Sequence, residues 1–225
     1  MRGKLIVIEG TDCSGKETQS NLLIERLKEK KIPVGKLSFP MYDTPTGKIV
    51  GGPYLGKEAI GEGWFPEGAD QVEPKVAALY YAADRRYNAP KINRLLEQGI
   101  NVILDRYVYS NMAHQGGKIL DMNERMNVYA WLDILEFKLL ELPKPDIAIF
   151  LHMPYEYAVK LRQNRLEQAD QLENSPEHLK HAENAYLELA QTYKWNTIEC
   201  VKDDKIRTIE DINDEIMAHI IDELT

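Results

Sequence analysis

Cysteine is almost missing from this chain. Its two cysteines, Cys13 and Cys200, are too few and too far apart for a disulfide framework or a thiolate metal cluster, so reduced thiols are expected. Long apolar runs are missing too: no stretch of 18 apolar residues offers a membrane span, and the short run between Lys4 and Gly10 does not make a secretory signal. A soluble, cytoplasmic protein is the expectation. Basic charge is not in excess either, with 28 Lys+Arg against 36 Asp+Glu and a net charge of -8. That balance argues against a nucleic-acid binder, which needs a basic face to neutralise phosphates. Any phosphate site must then be locally basic, and Lys16, Arg85, Arg86, Arg106, Arg162 and Arg165 stand beside loop or turn signals. No repeat, low-complexity tract or linker divides the chain, so one globular domain over residues 1–225 is expected.

What is present is an alternation of short β-rich runs with helical stretches. Leu5–Glu9, Val34–Phe39, Asn101–Leu104, Asp146–Leu151 and Thr197–Val201 read as strands, nearly all apolar as in "LIVIE", "NVIL" and "IAIFL". Such runs suit strands covered on both faces, which predicts an open, five-stranded parallel α/β sheet in three layers. Ligands on these sheets bind beyond the carboxyl ends of the strands, so Glu9-Gly10, Phe39-Pro40 and Asp105-Arg106 should meet at one crevice. Asp121 with Glu124 opens a long helix to Leu142, Ser175-Pro176 opens another, and Thr208 with Asp211 opens the last. Trp131, Leu132, Leu135, Leu139 and Leu142 form an apolar stripe at helical spacing, read as core or as a dimer face.

Directly after the first strand comes "GTDCSGKET", residues 10 to 18. Gly10, Gly15 and Lys16 match the phosphate-binding pattern G-x-x-x-x-G-K-[ST], and the strand before and helix after supply the required context. The backbone of Gly10, Thr11, Asp12, Cys13, Ser14 and Gly15 would wrap phosphate oxygens at a helix N-terminus, with Lys16 on the outer phosphates and Thr18 nearby. Glu17 occupies the hydroxyl position. A carboxylate about 4 Å from a phosphate oxygen is repelled by roughly 4 kcal/mol at an effective dielectric near 20. Glu17 must therefore turn away or face a Mg2+ ion, directly or through a water.

Residues 40–74 hold seven of the 14 glycines and five of the 11 prolines, which excludes one regular element. A long loop at a strand end beside the phosphate loop reads as a substrate flap. Farther on, "LDRY" ends a buried strand with Asp105, a metal partner, and Arg106, a bidentate phosphate clamp.

The ordered set "IEGTDCSGKETQ", "FPMYDTPTG", "LYYAADRR", "LDRYVYSNMAHQGG", "LPKPDIAIFL" and "AYLELA" resembles the thymidylate kinases over nearly the whole chain. That resemblance implies a homodimer that uses Mg2+ to transfer the ATP γ-phosphate to dTMP. It implies a catalytic set of Lys16, Asp12, Arg106, Arg162 and Arg165, the last two in a small lid over residues 162–175, and an acceptor site formed by Phe39, Pro40, Tyr42, Tyr81, Arg85, Arg106, Tyr107, Asn111 and Gln115. Tyr81 would stack on the base, Arg85 bond to it, Asn111 and Gln115 contact base and sugar, and Tyr107 exclude a ribose 2'-hydroxyl. From spacing alone, the 81/85 and 111/115 pairs also fit ordinary helix packing.

The chain departs from the family pattern at several places. Tyr42 stands where the substrate loop often carries arginine, Cys13 where some relatives place a basic residue, His152 where aspartate is common, and Glu183 where arginine is common. Two other functions stay open on the sequence. One is a deoxynucleoside kinase with a 5'-hydroxyl acceptor and Asp12 or Glu9 as base; the other is a nucleotide-binding regulator that does not turn over.

Overall fold

A computed structural model describes residues 2–162 and 170–224. Its centre is a parallel sheet of β1 (Leu5–Gly10), β2 (Val34–Ser38), β3 (Asn101–Asp105), β4 (Ile147–His152) and β5 (Asn196–Glu199), in the order β2-β3-β1-β4-β5. Each observed strand lies within two residues of its expected bounds. Pairing of Ile8 with Asp105 and of Gly10 with Leu151 levels the strand ends, so the phosphate loop and the Asp105-Arg106 turn leave the sheet side by side.

The alternation hidden inside the apolar runs explains the three layers. Leu5, Val7, Val102, Leu104 and Phe150 face one side, packed by α3 (Pro74–Glu97), α4 (Val108–Gly116), α5 (Met122–Asp133) and α7 (Pro176–Tyr193). Ile6, Ile8, Ile103, Ile149 and Leu151 face the other, packed by α1 (Lys16–Glu29), α6 (Tyr155–Arg162) and α8 (Ile209–Leu224). Period-two side chains buried on both faces give a strand no polar face, which is why the runs read as continuously apolar.

The helix expected from Asp121 to Leu142 begins as read, with Asp121 Oδ1 accepting from the Glu124 peptide N-H at 2.9 Å. It does not run through as an α-helix, because Ile134–Leu139 forms a π-turn. The wider turn rotates the stripe: Leu132 and Leu142 are buried, Leu139 is 71% exposed, and Glu136 faces the interior instead. Ser175 and Pro176 start α7, but the Ser175 hydroxyl makes no cap bond. Thr208 Oγ1 does cap α8, accepting from Asp211 N at 3.2 Å. A hairpin of β6 (Val201–Lys202) and β7 (Lys205–Ile206) was not expected, since two-residue strands carry no periodicity. Its turn residues, Asp203 and Asp204, take φ of 49° and 57°, as a tight hairpin requires.

Residues 40–74 fold on themselves instead of trailing. Thr44 caps α2 (Pro45–Ile49), a π-turn follows at Val50–Tyr54, and Val50, Tyr54, Leu55, Ala69 and Val72 form a local core closed by Ala77 and Leu172. Lys118 ties this core to the end of α4 by donating to Ala69 O at 2.8 Å, Val72 O at 3.0 Å and the Tyr54 hydroxyl at 3.3 Å. Among the described residues no helix is long and apolar enough to cross a membrane.

Candidate active site

The phosphate loop is shaped by two glycines with different tasks. A Cβ at Gly10 would lie 2.5 Å from Ser14 Oγ and 2.8 Å from Leu151 O, so only glycine lets the loop close over β4. Gly15 turns the chain into α1 with φ of 83°. Lys16, the first residue of that helix, is buried and donates to Thr11 O at 2.5 Å. Burial, and then repulsion from Arg106, pulls its ammonium down to about 8. Glu17 and Thr18 stand on the exposed first turn of α1.

Beside this loop, Arg106 sits in the left-handed region at φ 65°, held by its own peptide N-H on Ile8 O at 3.1 Å. Its guanidinium pairs with Asp12 and reaches Gly10 O at 3.4 Å and the Tyr186 hydroxyl at 3.5 Å. Burial alone would raise the Asp12 carboxyl, but the field of Arg106, helped by His114 and Lys16, holds it below its ordinary value. Glu9 lies beneath, fully buried: it accepts from Tyr107 N at 2.9 Å and Ser110 N at 3.2 Å, and from the hydroxyls of Ser110 and Tyr186. Burial raises the Glu9 carboxyl. Its place is under the Arg106 turn, as a cap for α4.

These parts open on one cleft of about 1330 Å³. Asp12, Cys13, Gly15, Lys16, Glu17 and Thr18 line it from the phosphate loop, and Phe39, Pro40, Tyr42, Tyr81, Arg85, Asp105, Arg106, Tyr107 and Asn111 from the acceptor side. Gly10, Thr11 and Ser14 support the loop from behind, and Gln115 is fully buried off the cleft wall. The Tyr107 ring is buried between Phe39 and Phe137, and its hydroxyl donates to Pro143 O at 3.2 Å. Asp84 fixes the mouth, accepting from Met41 N at 2.9 Å, Thr46 Oγ1 at 2.8 Å and Asn88 Nδ2 at 2.9 Å.

The lid arginines divide. Arg162 lines a smaller pocket with Thr11, Asp12 and Cys13 and donates to Glu173 O, while Arg165 lies outside the described residues. Two departures from the family pattern turn out to be partners: His152 Nε2 lies 3.2 Å from Glu183 Oε1, and its Nδ1 lies 2.7 Å from Glu199 Oε2. Glu183 also accepts from Tyr155 N at 3.0 Å, fixing the start of α6.

Four residues of this region escape the sequence reading. Lys57, from the flap, lines the cleft with its Nζ 5.2 Å over the Tyr42 ring and 3.5 Å from Asp170 Oδ2. His114 lines the cleft and shares a 3.1 Å hydrogen bond with His178, and burial keeps both imidazoles well below their usual values. Glu136 is joined to Arg85 by two bonds, one of them 2.6 Å. Asp84 is the fourth. Each makes at least one of its contacts across 25 or more positions of chain, which no local pattern announces.

Among the described residues no group of three His, Cys, Asp or Glu forms a metal cage. Asp105 and Glu17 nonetheless line the same cleft. Carboxylates on an open cleft suit Mg2+, which is held by one or two carboxylates together with substrate oxygens and water.

A protein-family model described as thymidylate kinase matches residues 8–213. The chain is 32% identical over 219 residues to a thymidylate kinase of Plasmodium falciparum, covering 97% of this chain and 90% of that one. It is 32% identical over 228 residues to a probable thymidylate kinase of Pyrococcus horikoshii, covering 100% and 98%. The solved thymidylate kinase of Candida albicans superposes with a TM-score of 0.75 at 27% identity, covering 99% of this chain and 92% of that structure.

Proposed function

The chain belongs to the thymidylate kinase family, and we propose that it transfers the γ-phosphate of ATP to dTMP. A phosphate oxygen of dTMP attacks the γ-phosphorus, the bond to the β–γ bridging oxygen breaks, and ADP and dTDP leave. The acceptor oxygen is already anionic, so no general base is needed, which suits a site whose Glu9 is fully engaged in hydrogen bonds.

The observation that carries this reading is the shared cleft: Lys16 of the phosphate loop and Arg106 of the acceptor clamp line one space. Lys16 holds the donor phosphates, and Arg106, kept oriented by Asp12, holds the acceptor phosphate. Lys57 stands in for the arginine that Tyr42 replaces. Tyr81, Arg85 and Asn111 take the base, residues 40–74 cover it as a flap, and Arg162 and Arg165 belong to the lid at 162–175. Mg2+, when bound, would neutralise charge on the outer phosphates, and Asp105 and Glu17, which line the cleft, would hold it.

We also read the molecule as a cytoplasmic homodimer without nucleic-acid partners. Val76 and Leu79 of α3 and Ile134 and Leu139 beyond α5 are exposed, and Lys75 Nζ lies 5.6 Å over the Trp131 ring where the two helices meet. ADP release measured with dTMP, dUMP, thymidine and deoxycytidine tests the activity. Release with monophosphates alone supports it, whereas release with thymidine selects the deoxynucleoside kinase.

A further inference from the structure

We infer that Glu136 is a positioning residue that sets the hydrogen-bond polarity of the base-binding wall. The wall then takes a pyrimidine with a ring N-H beside a carbonyl, and rejects one with a bare ring nitrogen beside an amino group. This rests on the acceptor-site reading given above.

Glu136 is fully buried on the π-turn that follows α5. Its two oxygens meet Arg85 Nε and, at 2.6 Å, Arg85 Nη2. The same Oε1 accepts from Asn111 Nδ2 at 3.0 Å, and the other neighbour of that amide is Ala78 O at 3.1 Å. Both neighbours are acceptors, and a carboxylate paired with a guanidinium has no proton to give. The amide nitrogen must therefore face them. Asn111 Oδ1 is left without a protein partner, on a residue that is 3% exposed and lines the cleft.

Arg85 completes the pattern. Of its five N-H donors, two go to Glu136 and one to Tyr107 O at 3.5 Å, which leaves two beside the cleft. One carboxylate thus holds both residues, fixing an unpaired acceptor on Asn111 and unpaired donors on Arg85, and both residues line the cleft. A 4-oxopyrimidine offers N3-H to the acceptor and O4 to the donors. A 4-aminopyrimidine would set acceptor against acceptor and donor against donor, leaving buried polar groups unpaired. In Glu136→Gln the amide nitrogen meets a donor in either orientation, Arg85 Nε when the oxygen keeps the place of Oε1 and both Arg85 Nη2 and Asn111 Nδ2 when it does not, so Arg85 and Asn111 are no longer both held.

The test uses the full chain and compares dTMP with dCMP, by calorimetric binding and by kcat/KM at saturating ATP. Wild type is expected to favour dTMP by about 100-fold or more, and Glu136→Gln to lower that ratio by about 10-fold or more. A loss of folded protein lowers both substrates alike, so the ratio separates positioning from simple support. If Glu136→Gln does not fold, Asn111→Leu, which removes the acceptor and leaves the Arg85–Glu136 pair closed, must lower the ratio similarly. An unchanged ratio in the folded variant, or a wild type that does not discriminate, overturns the inference. Absence of phosphoryl transfer with an intact, Glu136-dependent binding ratio overturns the kinase reading and leaves this inference standing.

Discussion

His152 Nε2 and Glu183 Oε1 lie 3.2 Å apart, joining in one ion pair the two positions where the chain carries His for Asp and Glu for Arg. The two departures thus satisfy each other in this chain, and Glu183 also holds the start of α6 through Tyr155 N at 3.0 Å. His152→Asp would place a third carboxylate between Glu183 and Glu199 and should cost roughly 1–3 kcal/mol. Adding Glu183→Arg should recover most of it. Chemical unfolding of the single and double variants measures the coupling, and additive losses would contradict the exchange.

The same pair has a pH signature. The hydrogen bond that the ring donates to Glu183, with Glu199 adding to it, raises the imidazole above its ordinary value despite burial. A raised histidine stabilises fully below the unfolded value of about 6.5 and loses that contribution as pH rises through the folded value. His152→Gln should thus be less stable than wild type at pH 6, by roughly 1 kcal/mol after solvent screening on the exposed Glu199 side. The gap should close by pH 9. Urea midpoints at the two pH values check this, and a gap that widens with pH would reverse the assignment.

Arg106→Ala should lower kcat/KM for dTMP by about 10³-fold while sparing ATP binding, because the clamp acts on the acceptor. Titration calorimetry with a non-hydrolysable ATP analogue, beside dTMP kinetics, separates the two effects. Near-normal dTMP kinetics would remove Arg106 from the site.

Lys57 is held over Tyr42 and against Asp170, with its ammonium in the cleft. Lys57→Met should raise the KM for dTMP by about 10-fold, the order of one charge-assisted hydrogen bond. Lys57→Arg should stay close to wild type. Equal KM values for all three proteins would leave the replaced arginine without a successor.

For Glu17, the expectation is a change in metal requirement. Glu17→Ala should raise the Mg2+ concentration needed for half-maximal rate, and Glu17→Ser should restore ordinary phosphate-loop behaviour. Magnesium titration at fixed ATP decides it, and an unaltered requirement in Glu17→Ala would leave the metal to Asp105 and the phosphates.

Lys16 gives a protonation test. Its ammonium is pulled down to about 8 by burial and then by Arg106, so part of the population is neutral at pH 8.5. Polyphosphate binding favours the charged form, and ATP should therefore bind with net proton uptake at that pH. Calorimetry in buffers of different ionisation enthalpy measures the uptake, and a value of zero at pH 8.5 would show that Lys16 stays fully charged.

Local chemistry is what the sequence made legible. The apolar runs, the glycines at 10 and 15, Lys16, and the Asp105-Arg106 turn each encode their geometry within a few residues, and the sheet brings them together as the strand order requires. What escaped depends on distant contacts. The π-turn at Ile134–Leu139 moved Glu136 inward and Leu139 outward, and no 3.6-residue pattern announces that rotation. Lys57 reads as an ordinary surface lysine until the flap core of Val50, Tyr54 and Leu55 folds it over the cleft. His152 and Glu183 looked like two separate losses because a pairing across 31 residues has no local mark.

One cleft should hold a donor triphosphate and an acceptor monophosphate together. Incubation of the full chain with γ-labelled ATP, Mg2+ and dTMP tests it most directly. Label is expected in the β-phosphate of dTDP, one per ADP formed, with none released as inorganic phosphate beyond the rate without dTMP. Label in thymidine 5'-phosphate when thymidine is the acceptor, or label found only in inorganic phosphate, would contradict it.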